Sequence, residues 1–256
     1  MSLAKVAAIL RRLARDQHDL AVGELAEAMN WPKSSASRLL KDMHQHGLLE
    51  RDYGTRRYRP SLLMLQLAAR YRSAEPLVEA ADKALAELTR RTGQATGISV
   101  LDEQDVVVLR SRAGSQPLRV VTPPGDRGPA WATSTGRVLL ARLTDEEIAR
   151  RFRKFPRRPG VGGPASLEAL MQRIQRIRAA GWEEAANEAM TGLGGVSVAV
   201  EDAQNGDAFA LYFAFSSLHV HKQQRRELAR HLREAADALA RRFNAQPAAT
   251  LGRAYG

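Results

Sequence analysis

The sequence predicts an α+β protein of two parts: a small winged helix-turn-helix unit with a linker helix, then a larger domain of helices and antiparallel hairpins. Three observations carry this. Residues 32–46 have helical periodicity with a carboxylate-free outer face, and two short β-prone runs follow them. Residues 62–69 are apolar nearly all round. Beyond Pro76, helical periods alternate with β-prone runs around turn residues, as expected where helices cover an antiparallel sheet.

Leu3, Val6, Ala7, Leu10 and Leu13 mark an amphipathic first helix. Residues 23–29 make a short second helix, whose Leu25, Ala26 and Met29 can pack on the next, and Asn30-Trp31-Pro32 breaks the chain. No Ser or Thr stands at Ala21 to cap that second helix. Pro32 suits a first helical position and Gly47 a helix stop. Between them Ala36, Leu39, Leu40 and Met43 form one apolar face, and Ser34, Ser37, Arg38, Lys41 and Gln45 the opposite one. A merely solvated face normally mixes Glu with Lys, whereas a surface meeting phosphates and base edges excludes acids. Lys33 and Ser35 flank it. Leu48 to Pro60 reads as two strands around Tyr53-Gly54, a wing with Arg56 and Arg57 near its tip.

Ser61 is placed to cap an apolar helix, Leu62 to Arg72, which reads as a linker packing on a second subunit. Glu75-Pro76 marks the break into the larger domain, giving boundaries of 1–60, 61–74 and 75–246. In that domain a helix ends at Gly93, and strands are expected at Ala95–Leu101, Val106–Arg112 and Leu118–Thr122. Helices follow at Thr133–Leu143, Asp145–Lys154 and Ser166–Ala180, the last stopped by Gly181. Strands at Gly195–Glu201 and Ala208–Phe215 flank Asn205-Gly206, a strong hairpin signal, and a final helix covers His221–Phe243.

Charge sharpens the argument by position. The 256-residue chain carries a formal +11. Residues 1–30 hold four Lys/Arg and four Asp/Glu, whereas residues 31–59 hold seven and three, so a net +4 sits on the motif that calls for a polyanion. The absence of cysteine excludes disulfides, thiol nucleophiles and Cys-ligated metals. No apolar run reaches the length of a membrane span and no signal architecture opens the chain, so a cytoplasmic protein without membrane partner or cofactor is expected.

In the larger domain, Gly128-Pro-Ala-Trp-Ala-Thr-Ser-Thr-Gly136 opens an apolar helix after a Gly/Pro loop. The hydroxyls of Thr133, Ser134 and Thr135 with the free amides of a helix start make a seat for a carboxylate; ordinary capping is the alternative. These motifs, with Pro32 to Leu40 and Gly47-Leu48-Leu49, then Ile177 to Trp182 and Asn187-Glu188, resemble the IclR family of bacterial transcriptional regulators in order and spacing from about residue 2 to 243. The resemblance implies a GAF-like effector-binding domain behind the winged helix. It implies homodimers or dimers of dimers on partly palindromic double-stranded DNA, and a small, often carboxylate-bearing effector. Carried over residue by residue, it assigns Thr133, Ser134 and Thr135 to the ligand-anchoring turn and Pro117, Val120 and Leu193 to apolar walls.

The chain departs from the family where Trp131 replaces the usual histidine and Ala199 a frequent proline. Polar pocket positions of keto-acid binders are here Ala185, Gly195, Tyr212 and Ala214. Gly128, Trp131, Gly195, Tyr212 and Ala214 therefore join the candidate effector residues, and a larger or aromatic acid is expected. DNA contacts are expected from Lys33, Ser34, Ser35, Ser37, Arg38, Lys41, Arg56 and Arg57, with repression the expected sign of regulation.

Two rivals stand beside this. An architectural DNA binder without an effector would use the run Arg150 to Arg158 as a second contact, yet leaves a domain of some 170 residues unexplained. A hydrolase using Ser134 lacks the Gly-x-Ser-x-Gly elbow, and His-Glu-x-x-His, Walker and dinucleotide patterns are absent too. No catalytic residue is expected. His219 and His221 lie two apart without a third ligand nearby, so no metal site is expected either.

Overall fold

The computed structural model describes residues 2–15, 19–70, 76–116, 120, 122–156, 162–202 and 206–244. The chain divides into two compact units, residues 1–74 and 75–256.

In the first unit, α1 (Leu3–Arg15), α2 (Val22–Met29) and α3 (Lys33–Gln45) enclose a core of Val6, Ile9, Leu13, Leu25, Ala36, Leu39, Leu40 and Met43. The buried stripe of α1 runs through Val6, Ile9 and Leu13, while Leu3 is 83% exposed; the helix turns its face by one position from the expected stripe. Asn30, in the left-handed region at φ 51°, closes α2. Pro32 is the N-cap of α3 rather than its first helical residue. Gly47, at φ 72°, ends α3: its N–H bonds to the His44 carbonyl and that of Leu48 to Met43, the paired closure a left-handed residue permits. β1 (Leu49–Arg51) and β2 (Tyr58–Pro60) form the antiparallel wing, and Leu20 adds a bridge to Tyr58.

Then comes α4 (Leu62–Arg70); Tyr71 and Arg72, the expected end of this helix, lie outside the described residues. Ser61 does not cap it by side chain: its hydroxyl donates to the Gly47 carbonyl at the end of α3. Leu62, Leu65 and Leu67 are 69, 65 and 56% exposed. Leaving three leucines in water forgoes roughly 1.5–3 kcal/mol each.

In the second unit, β3 (Ala95–Asp102), β4 (Asp105–Arg112), β5 (Arg127–Pro129), β6 (Glu183–Ala186), β7 (Leu193–Glu201) and β8 (Ala208–Ser216) form an antiparallel sheet in the order β5-β4-β3-β8-β7-β6. The short edge strands β5 and β6 were not anticipated. The expected strand at Leu118–Thr122 falls mostly outside the described residues, and its Val120 and Thr122 belong to no strand. Asn205 also lies outside them, though the hairpin it marks joins β7 to β8.

Strand alternation divides the sheet. One face presents Ile98, Val100, Val196, Val198, Val200, Leu211, Phe213 and Phe215 to α5 (Pro76–Thr92) and α9 (Lys222–Asn244). The other is covered in part by α6 (Ser134–Leu140), α7 (Asp145–Arg151) and α8 (Leu167–Ala180), packed through Val138, Leu139, Leu140, Ile148, Phe152, Leu170, Ile174 and Ile177. α6 and α7 stop three residues short of the expected ends, at Leu140 and Arg151, while Gly181 closes α8 at φ 75° as its position predicts. Among the described residues no helix is long and apolar enough to cross a membrane.

Candidate nucleic-acid interface and ligand pocket

The outer surface of α3 is built by helical period alone. With Ala36, Leu39, Leu40 and Met43 buried, Lys33, Ser34, Arg38, Lys41 and Gln45 are exposed, and Ser35 and Ser37 half-exposed. The one acid of the helix, Asp42, lies on its flank and is half-buried. Three hydroxyls and three cations therefore share a convex ridge as wide as a helix, which fits a major groove.

The wing adds one free cation rather than two. Arg56 is exposed at φ 58° in the turn. Arg57 folds back: its Nε donates to Asp19 at 2.7 Å and its two terminal nitrogens to the Glu24 carboxylate at 2.9 and 2.7 Å. Its expected place at the phosphates is thus taken by an internal ion pair. Glu24 also accepts the Ala21 N–H, which supplies the capping function that Ala21 cannot. The Arg57 guanidinium holds the Glu24 carboxyl below the usual carboxylate range, and the carboxylates push Arg57 up.

On the second unit a cavity of about 550 Å³ opens on the side of the sheet opposite α5 and α9. That face of the central strands is written in small residues: Ala95, Gly97 and Ser99 on β3, Ala210 and Ala214 on β8, Gly195 and Ser197 on β7. Tyr212 is the large side chain at their centre, and Leu193 stands at the start of β7. Cross-strand neighbours share a face, so this alternation of large and small residues both fills the core and hollows the pocket.

The pocket's anchor is the turn into α6. Thr133 is the N-cap; its hydroxyl accepts from the Gly136 N–H at 3.1 Å and lies 3.1 Å from the Pro129 carbonyl. Gly136 is required here, since a Cβ would lie 2.2 Å from Ala130 backbone. Ser134 is buried and its Oγ is 2.8 Å from that of Ser197. A neighbouring hydroxyl is not a general base that activates a serine nucleophile. A Cβ on Gly195 would sit 3.0 Å from Ser134 Oγ, so the glycine clears the space beside the hydroxyl.

Of the expected effector residues, the structure brings Val120, Gly128, Thr133, Ser134, Thr135, Leu193, Gly195, Tyr212 and Ala214 to the pocket wall. Pro117 lies outside the described residues. Trp131 is a correction: it is 4% exposed, tilts against Phe155 at 5.5 Å between centroids, and belongs to the core beside α8. Its place in the motif gave chain order, not side-chain direction.

Sequence reasoning missed Thr122, whose hydroxyl meets Tyr212 Oη at 2.8 Å, and the buried Ser99. Burial pushes the Tyr212 phenol up to about 12. It also missed Arg137, whose side chain has no exposure. Arg137 bonds Glu183 at 2.8 Å, Glu188 at 2.7 Å and the Trp131 and Glu184 carbonyls at 3.1 Å each. Glu188 directly precedes the lining residues Ala189 to Gly195, and its neighbour Asn187, at φ 60°, accepts from the Gly192 N–H and Ser217 hydroxyl at 2.7 and 2.8 Å. His219 and His221 are exposed beyond the end of β8, and among the described residues no three His, Cys, Asp or Glu stand together to hold a metal.

Residues 2–53 match the family model described as the IclR helix-turn-helix domain, and residues 69–241 that of the bacterial transcriptional regulator IclR C-terminal domain. The HTH-type transcriptional regulator KdgR of Escherichia coli strain K12 is 27% identical over 236 residues, covering 92% of this chain and 89% of that protein. The Pca regulon regulatory protein of Pseudomonas putida is 28% identical over 232 residues, covering 89 and 77%. An IclR homologue from Microbacterium hydrocarbonoxydans, solved in complex with 4-hydroxybenzoate, superposes with a TM-score of 0.78 at 23% identity, covering 95% of this chain and 99% of that one. The named relatives are regulators, not enzymes.

Proposed function

Because the chain belongs to the IclR family of bacterial transcriptional regulators, we propose that it represses transcription from a partly palindromic operator until a small aromatic acid occupies the pocket. The observation that carries the DNA half is the acid-free exposed ridge of α3. Arg38 with Ser34, Ser35 and Ser37 approaches base edges, while Lys33, Lys41 and Arg56 meet phosphates. Phosphate contacts position the helix, and base contacts supply sequence preference.

The two halves of such an operator call for two reading heads. A homodimer, or a dimer of dimers, supplies them, with the exposed leucines of α4 as the covered surface. The winged unit and linker correspond to residues 1–60 and 61–74, the effector domain to 75–246. No part of this requires a membrane, and the protein acts in the cytoplasm.

The ligand half rests on the pocket's size and lining. A cavity of this volume suits a small molecule, and the wall pairs apolar Val106, Val108, Val120 and Leu193 with the hydroxyls of Thr133, Ser134 and Thr135. The α6 helix has only seven residues, so the seat for a carboxylate depends on hydroxyls and first-turn amides more than on a macrodipole. That a relative was crystallised with 4-hydroxybenzoate supports an aromatic acid here. Effector binding acts by favouring one of two arrangements of the reading heads.

The test combines fluorescence anisotropy on the DNA flanking the gene with calorimetry of the full chain against aromatic and aliphatic acids. An acid that both raises the melting temperature and releases the operator is the expected result. Operator binding indifferent to every acid in the panel contradicts the effector half. Binding to random DNA as tight as to flanking DNA contradicts the reading half.

A further inference from the structure

The proposed aromatic-acid site has two polar poles at opposite ends. Tyr212 lies on β8, paired with Ser197 of β7 on one side and Gly97 of β3 on the other. Its ring crosses onto β3: a Cβ on Gly97 would stand 2.4 Å from Tyr212 Oη and 2.5 Å from its Cζ. There Oη meets the Thr122 hydroxyl at 2.8 Å. Ser134 Oγ, by contrast, sits over β7, against Ser197 and Gly195. With β8 between them, the poles are about two strand spacings apart, on the order of 10 Å. Of the apolar wall, Ala214 lies on β8 between the poles, while Val106 and Val108 lie on β4, beyond the Tyr212 pole. One benzene ring with a polar group at each end has that length.

The two poles differ in chemistry. At the Tyr212 end, two hydroxyls bonded to each other leave one O–H and several lone pairs, enough to donate to and accept from one neutral group. Among the described lining residues the cation is Arg127, already engaged: it pairs with Asp102 at 2.7 Å and reaches Asp105 at 3.5 Å. Asp126 also lines this end. A second carboxylate placed there meets an acid and two neutral hydroxyls, and among the described lining residues no unpaired cation offsets its desolvation. The phenol is neutral at physiological pH, and burial pushes its ionisation further up, to about 12.

We propose that the effector is an aromatic monocarboxylate bearing a neutral hydrogen-bonding group opposite its carboxylate, that Tyr212 and Thr122 read this distal group, and that para-dicarboxylates are rejected. This rests on the aromatic-acid reading of the pocket and adds the identity of its far pole. Tyr212 is then a specificity determinant, and Gly97 the residue that gives its ring room. The relaxed alternative, a pocket that measures only shape, makes the distal substituent irrelevant.

The experiment is isothermal titration of the full-length protein with three probes: benzoate, 4-hydroxybenzoate and benzene-1,4-dicarboxylate. It is repeated on Tyr212→Phe, which keeps the ring over Gly97, and on Thr122→Val. The wild type is expected to prefer 4-hydroxybenzoate over benzoate by about tenfold, the worth of one well-made buried hydrogen bond, and to bind the dicarboxylate more weakly than benzoate. In either variant that preference falls toward unity. A melting transition like that of the wild type reports that the variant is folded. Equal binding of benzoate and 4-hydroxybenzoate by the wild type overturns the far pole and leaves the aromatic-acid reading standing. A preference that survives both variants, or a dicarboxylate as tight as 4-hydroxybenzoate, does the same. If none of the three binds, the aromatic-acid reading falls and the far pole with it.

Discussion

On α3, Arg38 and Lys41 stand exposed beside three serines, whereas in the sheet domain Arg137 is wholly buried between two carboxylates and two backbone carbonyls. The chain's formal +11 counts these side chains alike, yet they act in opposite ways. Arg137 spends its charge on Glu183 and Glu188 and projects almost no field beyond the domain. Arg38 has a field to offer a polyanion. Arg57 falls between them: a wing cation by sequence position, it is bound to Asp19 and Glu24 and braces the wing against α2. Net charge thus identifies a partner only after the internal pairs are subtracted.

Four substitutions sharpen or break this contrast, in descending size. Arg137→Met keeps the bulk but strands Glu188 and leaves Glu183 to Arg173 alone, and should cost about 3–5 kcal/mol of stability, read as a fall in the melting transition of the full chain. A melting curve like that of the wild type would show that the network is not structural. Next, Arg38→Ala should leave that curve in place and cost about 1–3 kcal/mol of operator affinity while relaxing base preference. Lys41→Ala should weaken all sequences alike and lower the salt slope by about one, measured as affinity against salt concentration. Unchanged slopes in both would move the interface away from α3.

The smallest effect belongs to Arg57→Ala, whose ion pairs are partly exposed and screened by salt. Because Glu24 titrates lower in the folded state than in the unfolded chain, its contribution is present above the ordinary glutamate range. That contribution is lost as pH falls through the depressed folded value. The variant should therefore be less stable than the wild type at neutral pH, with the gap closing in acid. Chemical unfolding at pH 7 and pH 3 reads this directly, and a gap that widens in acid would contradict the pairing.

Much of the fold was legible in sequence because its elements announce themselves locally. The period of Ala36, Leu39, Leu40 and Met43 determines the buried side of α3, and Gly47 and Gly181 stop helices where a left-handed residue is needed. What escaped depends on distant partners. Arg57 meets Asp19 and Glu24, 38 and 33 residues away, which no window along the chain reveals. Trp131 turned into the core although its neighbours line the pocket, because α8 supplies the packing that claims it. The three-residue edge strand β5 carries too few side chains to show a period of two.

The pocket itself was half legible. That Thr133, Ser134 and Thr135 line it follows from hydroxyls at a helix start beside a Gly/Pro loop. The proposed far pole does not, since Thr122, after β4, and Tyr212, on β8, are 90 residues apart and meet through the pairing of β4 with β3 and of β3 with β8. A signal was present all the same. Ala210, Tyr212 and Ala214 alternate with Leu211, Phe213 and Phe215, and Gly195 and Ser197 with Val196 and Val198. Small against large at period two announces a hollow on one face of a buried sheet.

The hydroxyl of Ser61 holds the carbonyl of Gly47, so the leucine-bearing helix begins on the same atom at which the groove-reading helix has ended. The two are geared. Any twist imposed on α4 by whatever grips its leucines is delivered to the pitch of α3 through one short lever rather than lost in a slack joint.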